Sequence, residues 1–396
     1  MNQAKLLTFI QSAAGLRLRL QLQPLYGQGE IIFPCTVAGG KYQTSKRRIP
    51  GYPESVDCTI IDSVQSQANR MEDALLADIR SGNIFLPHVV TDFSGLEDRL
   101  HKPIGQITCF EAPHRIFDAI LRDSVDASGT HFPFTAEGKA AITANSRDAS
   151  ALFAISPASL LFGSWDSTGV TGGLGEKYTR CVVSELVAVN TERAVRAGTR
   201  IDPLNSAGEL DPADILKSSK DPMWQALSKN RKMKKPSELN HSSVPWSGEN
   251  EKSKEMHGGV TCDYIQQSTT ISFPALRHLG FPAKITDRSA AGQAVLAAIA
   301  LHAAALNVER GWHLRSRCDL TPADGQIPTW EILGSDSDPI GLESTATRQL
   351  LMDCIEFAQG TGLEWREEPI RLTPSSALAD LVVKSQEAHR TSPAEA

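Results

Sequence analysis

At 396 residues, 41% hydrophobic and 22% charged, the chain is long enough to bury a sizeable core, and its composition is neither that of a disordered nor of a fibrous protein. Its net charge of −6 hides an asymmetry, because residues 321–396 carry five basic and 13 acidic side chains, a balance of −8, which leaves +2 for residues 1–320. A basic body with an acidic tail region points to a polyanionic partner more than the overall charge does.

The N-terminal MNQAKLLTFIQSAAG has one Lys and a short apolar stretch broken by Gln11, so no secretory signal is expected. Leu16–Leu22, LRLRLQL, alternates strictly and predicts a half-buried strand with Arg17, Arg19 and Gln21 on the polar face. Residues 24–57 form an insertion rich in Gly, Pro and basic residues, with Lys46, Arg47 and Arg48 in a row. Ile60–Leu76 reads as the end of an apolar strand that turns directly into a helix over Val64–Arg80. Val64, Ala68, Met71, Leu75 and Ile79 share one helical face, and Asp62 or Ser63 can serve as N-cap, with Gln65 at capping-box distance from Asp62.

The first two turns of that helix hold neutral donors at Ser63, Gln65, Ser66, Gln67 and Asn69, a charge at Arg70, and no acid before Glu72. First turns usually attract acids because the helix dipole is positive there, so this end suits an external phosphate. An ordinary capped helix with a solvated face accounts for the same residues.

Residues 81–178 read as a helical subdomain with helices at Ala112–Ser124 and Thr135–Asn145. Pro113 opens the first, Ile116, Ile120 and Leu121 form its core stripe, and His114 and Arg115 sit at its start. In Phe162–Arg180, Gly172, Gly173 and Gly175 leave backbone N–H groups open to a phosphate, with Lys177 and Arg180 close behind. This is neither a Walker A loop nor a spaced GxGxxG. Trp165, beside Asp166, could stack on a base, or be a core Trp next to a Gly-rich turn.

Thr179–Val189 and Gly259–Phe273 are predicted strands, and between them residues 190–258 form a polar, lysine-rich arm expected to be mobile. Lys229–Lys235 carries five positive charges and no acid, and KKPSELNHSSVPW adds Lys234, Lys235, Asn240 and His241 as candidate contacts. Asp287–Arg310 is a long Ala/Leu-rich helix, apolar nearly all round and so expected in the core. Its apolar run is below 18 residues by this reading, so no membrane span is expected. Trp312–Leu320 is a fourth strand, followed by a strand at Trp330–Leu333 and helices at Leu342–Gln359 and Ser376–His389. The last six residues, 391–396, are expected to be disordered.

The resulting order is β-α-β-β-α-β, an α+β ferredoxin-like or RRM-type unit. Its discontinuous palm is assigned to residues 1–23, 58–80, 179–189 and 259–320, with 321–390 as a C-terminal strand and helices. Seven cysteines lie far apart, without CxxC or a zinc-type Cys/His set, as expected of reduced, buried thiols in a cytosolic protein.

IDSVQSQANRMEDALL, APHRIFDAILRDS, LLFGSWDSTGVTGGLGEKYTR, RIDPL (Arg200–Leu204), KKPSELNH, GGVTCDY and LRSRCDL follow one another in that order. Together they resemble the CRISPR-associated RAMP backbone subunit, of Cas-seven type, of type I-G (formerly I-U) effector complexes, over essentially Leu16 to Val383. The resemblance implies an RRM-type palm with finger and thumb insertions, and residues 190–258 are the candidate thumb. It implies head-to-tail copies along one CRISPR RNA that display guide bases to target DNA, beside a large subunit and an RNA-processing subunit. It carries RNA contact over to Ser63, Gln65, Gln67, Asn69 and Arg70, and implies neither cofactor nor catalysis.

Two other readings remain open. An endoribonuclease that cuts the CRISPR transcript would need a general acid or base such as His114, His241 or His257. A related variant, metal-dependent target cleavage, would need an exposed Asp such as Asp166 or Asp263. A nucleotide-binding enzyme would use the GGLG loop, but lacks the Lys-Ser/Thr pair of a P-loop.

Overall fold

The computed structural model describes residues 1–37, 41–167, 169–170, 175–196, 214–217, 224–227, 256–282 and 287–391. The leucine alternation forms strand β1 (Gly15–Pro24), which buries Leu16, Leu18, Leu20 and Leu22 and leaves Arg17, Arg19 and Gln21 on the other face. Ahead of it lies helix α1 (Gln3–Ser12), capped by the Asn2 side chain and buried through Leu6, Phe9 and Ile10. The sequence reading missed this helix, whose apolar face spans only ten residues.

Strands β2 (Thr44–Arg47) and β3 (Val56–Asp62) form an antiparallel pair, and β3 runs into helix α2 (Val64–Arg80) within one residue. Strand β4 (Val182–Val189) follows the long insertion. Strand β5 (Tyr264–Ser272) precedes helix α3 (Arg288–Glu309). Then come strands β6 (Trp312–Arg315), β7 (Cys318–Pro322) and β8 (Thr329–Leu333), and helix α4 (Ser344–Gly360).

These strands join one antiparallel sheet in the order β6-β7-β1-β5-β4-β3-β2. Strand β8 pairs with the first half of β1, at Gly15–Leu18, whereas β7 takes its end at Leu22–Pro24. The fold is thus mixed α+β on an antiparallel sheet. The predicted strands lie across it as fourth, first, third, second, and β3 is an addition beside the second.

Helices cover one face of the sheet. Helix α3 is central and packs against α1, α2 and α4. Its alanines allow close approach of its neighbours, and Gly292 admits the Phe281 ring where a Cβ would lie 2.7 Å from it. Among the described residues α3 is the one helix long and apolar enough to cross a membrane, and 83% of that apolar window is buried inside the fold.

Three local expectations are corrected. Trp312–Leu320 is a hairpin, because the chain reverses at Arg317 with φ +59°. Gly259–Phe273 is two strands, Met256–Thr261 and β5, broken at Cys262–Asp263. Ala112–Ser124 is a 3-10 turn at Arg115–Phe117 and a short helix at Ala119–Arg122. The break arises because Arg115 has φ +53° and Asp118 caps the second piece through Ile120 N–H.

The helix predicted at Thr135–Asn145 spans Ala136–Thr143, with Thr135 as its cap. Strand Ile370–Pro374 pairs in parallel with Val89–Asp92, which ties the C-terminal region to the 81–178 insertion. The closing helix is Ser376–Thr391. In the arm, Glu192–Arg196 pairs with Met256–Thr261 and Asp214–Lys217 with Trp224–Leu227. The expected mobility of the arm and of the last residues falls outside the described residues.

Candidate nucleic-acid interface

Helix α2 is capped by Ser63, whose Oγ accepts from Ser66 N–H at 3.3 Å, and its first turn holds no acid. Gln65 and Asn69 are exposed, with Ser66 and Arg70 half-buried beside them. Spaced i, i+1, i+4 and i+5, these four share the outward side of the first two turns.

Gln67 is elsewhere. It is fully buried, and its Nε2 donates to Asp62 Oδ2 at 2.6 Å. Its Oε1 accepts from Ser184 Oγ at 3.1 Å and from Asn307 Nδ2 at 3.2 Å. This corrects the expectation that Gln67 offers a surface donor, because its amide already joins α2, β4 and α3. The signal was legible, since Gln67 lies three residues after Val64 and four before Met71, on the apolar stripe.

Asp62 supplies an anion from within the chain. Its side chain is completely buried, and Arg70 Nε donates to Oδ2 at 2.9 Å while the Arg70 side chain stays 31% exposed. The helix end is therefore less electropositive than the sequence suggests. Arg70 also flanks the Cys35 thiol, whose pKa is raised by burial first and then by Asp62, against the pull of Arg70 and Arg315.

Arg115 is likewise corrected as a surface contact. Its guanidinium is buried and makes two bonds to Glu72, 2.6 and 2.7 Å, and a third to Gly163 O at 2.8 Å. Burial pushes the Glu72 carboxyl up against the opposing pull of Arg115. The clamp fixes Gly163 two residues before Trp165. Arg180 stands near the clamp, and desolvation and then the Arg115 charge lower its pKa.

Trp165 is 46% exposed on a two-stranded ribbon, Ser164–Trp165 with Lys177–Tyr178. Lys177 Nζ lies 5.2 Å from the indole centroid, so the ring is a supported, solvent-facing plate. Gly172 and Gly173 lie outside the described residues, as do Lys234, Lys235, Asn240, His241 and the His257 side chain. Arg47 pairs with Glu185 at 3.1 Å and Lys46 with Asp57 at 3.2 Å, whereas Arg48 is exposed at the end of β2.

The uncovered sheet face presents Arg17, Arg19, Gln21, Gln266, Ser268 and Thr270, with Arg17 bonded to Glu331 at 2.8 Å. These six positions carry no aromatic ring, and Tyr264, next along the same face of β5, packs against the small apolar cluster of Cys58, Ile60, Val187 and Val189.

The catalytic candidates are dispersed. His114 is exposed at the start of the 3-10 turn, and Asp166 is buried against the turn at Gly169. Asp263 Oδ2 accepts from Tyr52 Oη at 2.7 Å and from Asn190 Nδ2 at 2.9 Å, which fixes it at the base of the arm. That bond pushes the Tyr52 phenol up to about 12. Among the described residues no three His, Cys, Asp or Glu side chains gather as a metal site.

Residues 16–193, which include α2, the Arg115 clamp and the Trp165 ribbon, match the family of CRISPR-associated protein GSU0053. Over that segment the chain is similar to a CRISPR-associated family. None of the curated proteins matches it. The family match covers both surfaces that hold exposed candidates, the outward side of α2 and the Trp165–Lys177 plate. Arg48 also lies within it, and the arm lies almost entirely beyond it.

Proposed function

We propose that this chain is a non-catalytic backbone subunit of a type I-G CRISPR interference complex. In this reading an RRM-type palm holds the CRISPR RNA by its phosphate backbone, copies stack head to tail, and the guide bases face target DNA. The large subunit, the RNA-processing subunit and a cytoplasmic setting belong to the same proposal. The observation that carries it is the outward side of α2 within the family-matched segment, where Gln65, Ser66 and Asn69 offer neutral donors beside Arg70. Such a mixture suits a protein that holds backbone and shape while base pairing reads sequence. The lateral strand order supports the RRM-type palm.

The test is to mix the full chain with labelled CRISPR RNAs of increasing length and follow mass and RNA integrity together. A head-to-tail contact does not close, so longer RNAs should recruit more copies in steps, with the RNA uncut. A single stoichiometry on every RNA would overturn the array, and specific cleavage would favour the endoribonuclease reading.

A further inference from the structure

Three non-glycine residues among those described have positive φ: Arg115, Asn190 and Arg317. A side chain in this region is strained and persists where its surroundings compensate. At the first two the compensation is internal. Arg115 bonds to Glu72 and Gly163, and Asn190 bonds to Asp263.

Arg317 differs. It is exposed in the turn between β6 and β7, and among the described residues no carboxylate pairs with it. Its guanidinium carbon lies 5.6 Å from the ring centroid of Tyr26 and 5.6 Å from that of Phe33. The turn is held in place by its own backbone, since Arg317 O accepts from Phe33 N–H at 3.0 Å. Tyr26 is 58% exposed, and Leu25 before it is tied by its N–H to Asp319 O at 2.9 Å. The rings restrict the guanidinium while its hydrogen-bonding edge keeps its full positive charge.

A fixed plane of charge beside an open aromatic ring suits one ligand chemistry above others: a phosphate for the charge and a flat, unpaired base for the ring. We infer that Tyr26, Phe33 and Arg317 form a second contact for single-stranded nucleic acid, outside α2, with Arg317 on a backbone phosphate and Tyr26 under a base. The inference rests on the RNA-binding reading above. The position agrees with it, because Arg315, two residues earlier, donates to Pro34 O at 3.0 Å, next to Cys35, which Arg70 flanks, and so connects this corner to α2.

The test measures binding of an unstructured single-stranded RNA, and of an abasic phosphodiester of equal length, to the full chain across a salt series. Arg317→Gly removes the charge at a site where glycine adopts the required φ without strain, so the fold should hold and its Tm is the check. It should weaken RNA binding several-fold and reduce the salt slope by about 0.7 for one lost phosphate contact. Arg317→Lys should keep the slope but recover only part of the affinity, because the planar stack is lost. Tyr26→Ala should weaken binding to the RNA roughly fivefold or more, leave the slope unchanged, and bind the abasic strand like the parent.

Parental RNA affinity in Arg317→Gly, or in Tyr26→Ala, would overturn the inference. If Arg70→Ala still weakened binding, the RNA-binding reading would survive that result. A parent chain that binds no RNA would overturn both.

Discussion

Arg70 Nε donates to Asp62 Oδ2 at 2.9 Å, so the cation expected to face a phosphate already holds a buried carboxylate at the end of β3. The pair has two consequences of opposite sign. Asp62 Oδ1 is buried with no protein donor, so the carboxylate depends on Gln67 and Arg70 for its stabilisation. An RNA phosphate at Arg70 would compete with Asp62 for the same guanidinium.

Asp62→Asn should therefore tighten RNA binding and steepen its salt dependence, because an internal anion is removed. Arg70→Ala should weaken binding, flatten the slope by about 0.7 per subunit, and cost about 1–3 kcal/mol of stability. Anisotropy titrations across salt with parallel melts check both. Unchanged affinity in Asp62→Asn together with unchanged affinity in a folded Arg70→Ala would remove Arg70 from the interface.

Gln67→Ala is expected to act on the fold. Ser184 and Asn307 would lose their shared acceptor and Asp62 a donor, at a cost of about 1–3 kcal/mol for each buried group left unpaired. Melting should drop by several degrees, while the RNA affinity of the folded protein stays at the parent value. A loss of affinity without a loss of stability would contradict this placement.

Arg115→Ala should be more damaging, about 3–5 kcal/mol, because it strands Glu72 as a lone buried acid. Denaturant unfolding reads the cost directly. A loss below 1 kcal/mol would show that the clamp is not needed to hold the Trp165 ribbon.

Trp165→Ala separates surface function from stability. The indole is 46% exposed, so melting should change little. If it stacks on a base, RNA binding should weaken by about 1–3 kcal/mol with no change in salt slope. Equal affinity in the variant would mean that the plate is not used.

Acid should destabilise the fold through its buried imidazoles. His302 lies between Asp78, 2.9 Å away, and Thr347, 3.0 Å away, with Arg348 and Glu309 near, and burial lowers its pKa against the pull of Asp78. Burial lowers His88 too, against the backbone of Leu86 and with Arg371, Arg80 and Glu111 around it. In both cases the unfolded chain takes up the proton first. Stability should be insensitive to these groups above about pH 6.5 and fall as pH drops below that value. Melting followed over that window should show a shallower fall in His302→Asn than in the parent. An equal slope would assign the acid sensitivity to other groups.

Local signals in the sequence were enough for β1, α2 and α3. Strict alternation, a Ser cap before an apolar stripe, and an all-round apolar run each follow from one stretch of chain and the period of its hydrogen bonding. The succession of strands and helices along the chain was legible for the same reason, whereas their lateral order in the sheet was set by long-range pairing. The partners of the polar side chains were not. Glu72 and Arg115 are 43 residues apart, and Gln67 and Asn307 are 240. A polar residue on a helix face is a surface donor or a buried bond according to what distant segments bring to it. The apolar stripe marked Gln67 as inward, but only the packing of β3, α2, β4 and α3 against one another decided which partners it bonds and that Arg115 is buried. The same packing left Gln65, Asn69 and Trp165 in solvent and brought Tyr26, Phe33 and Arg317 to one corner.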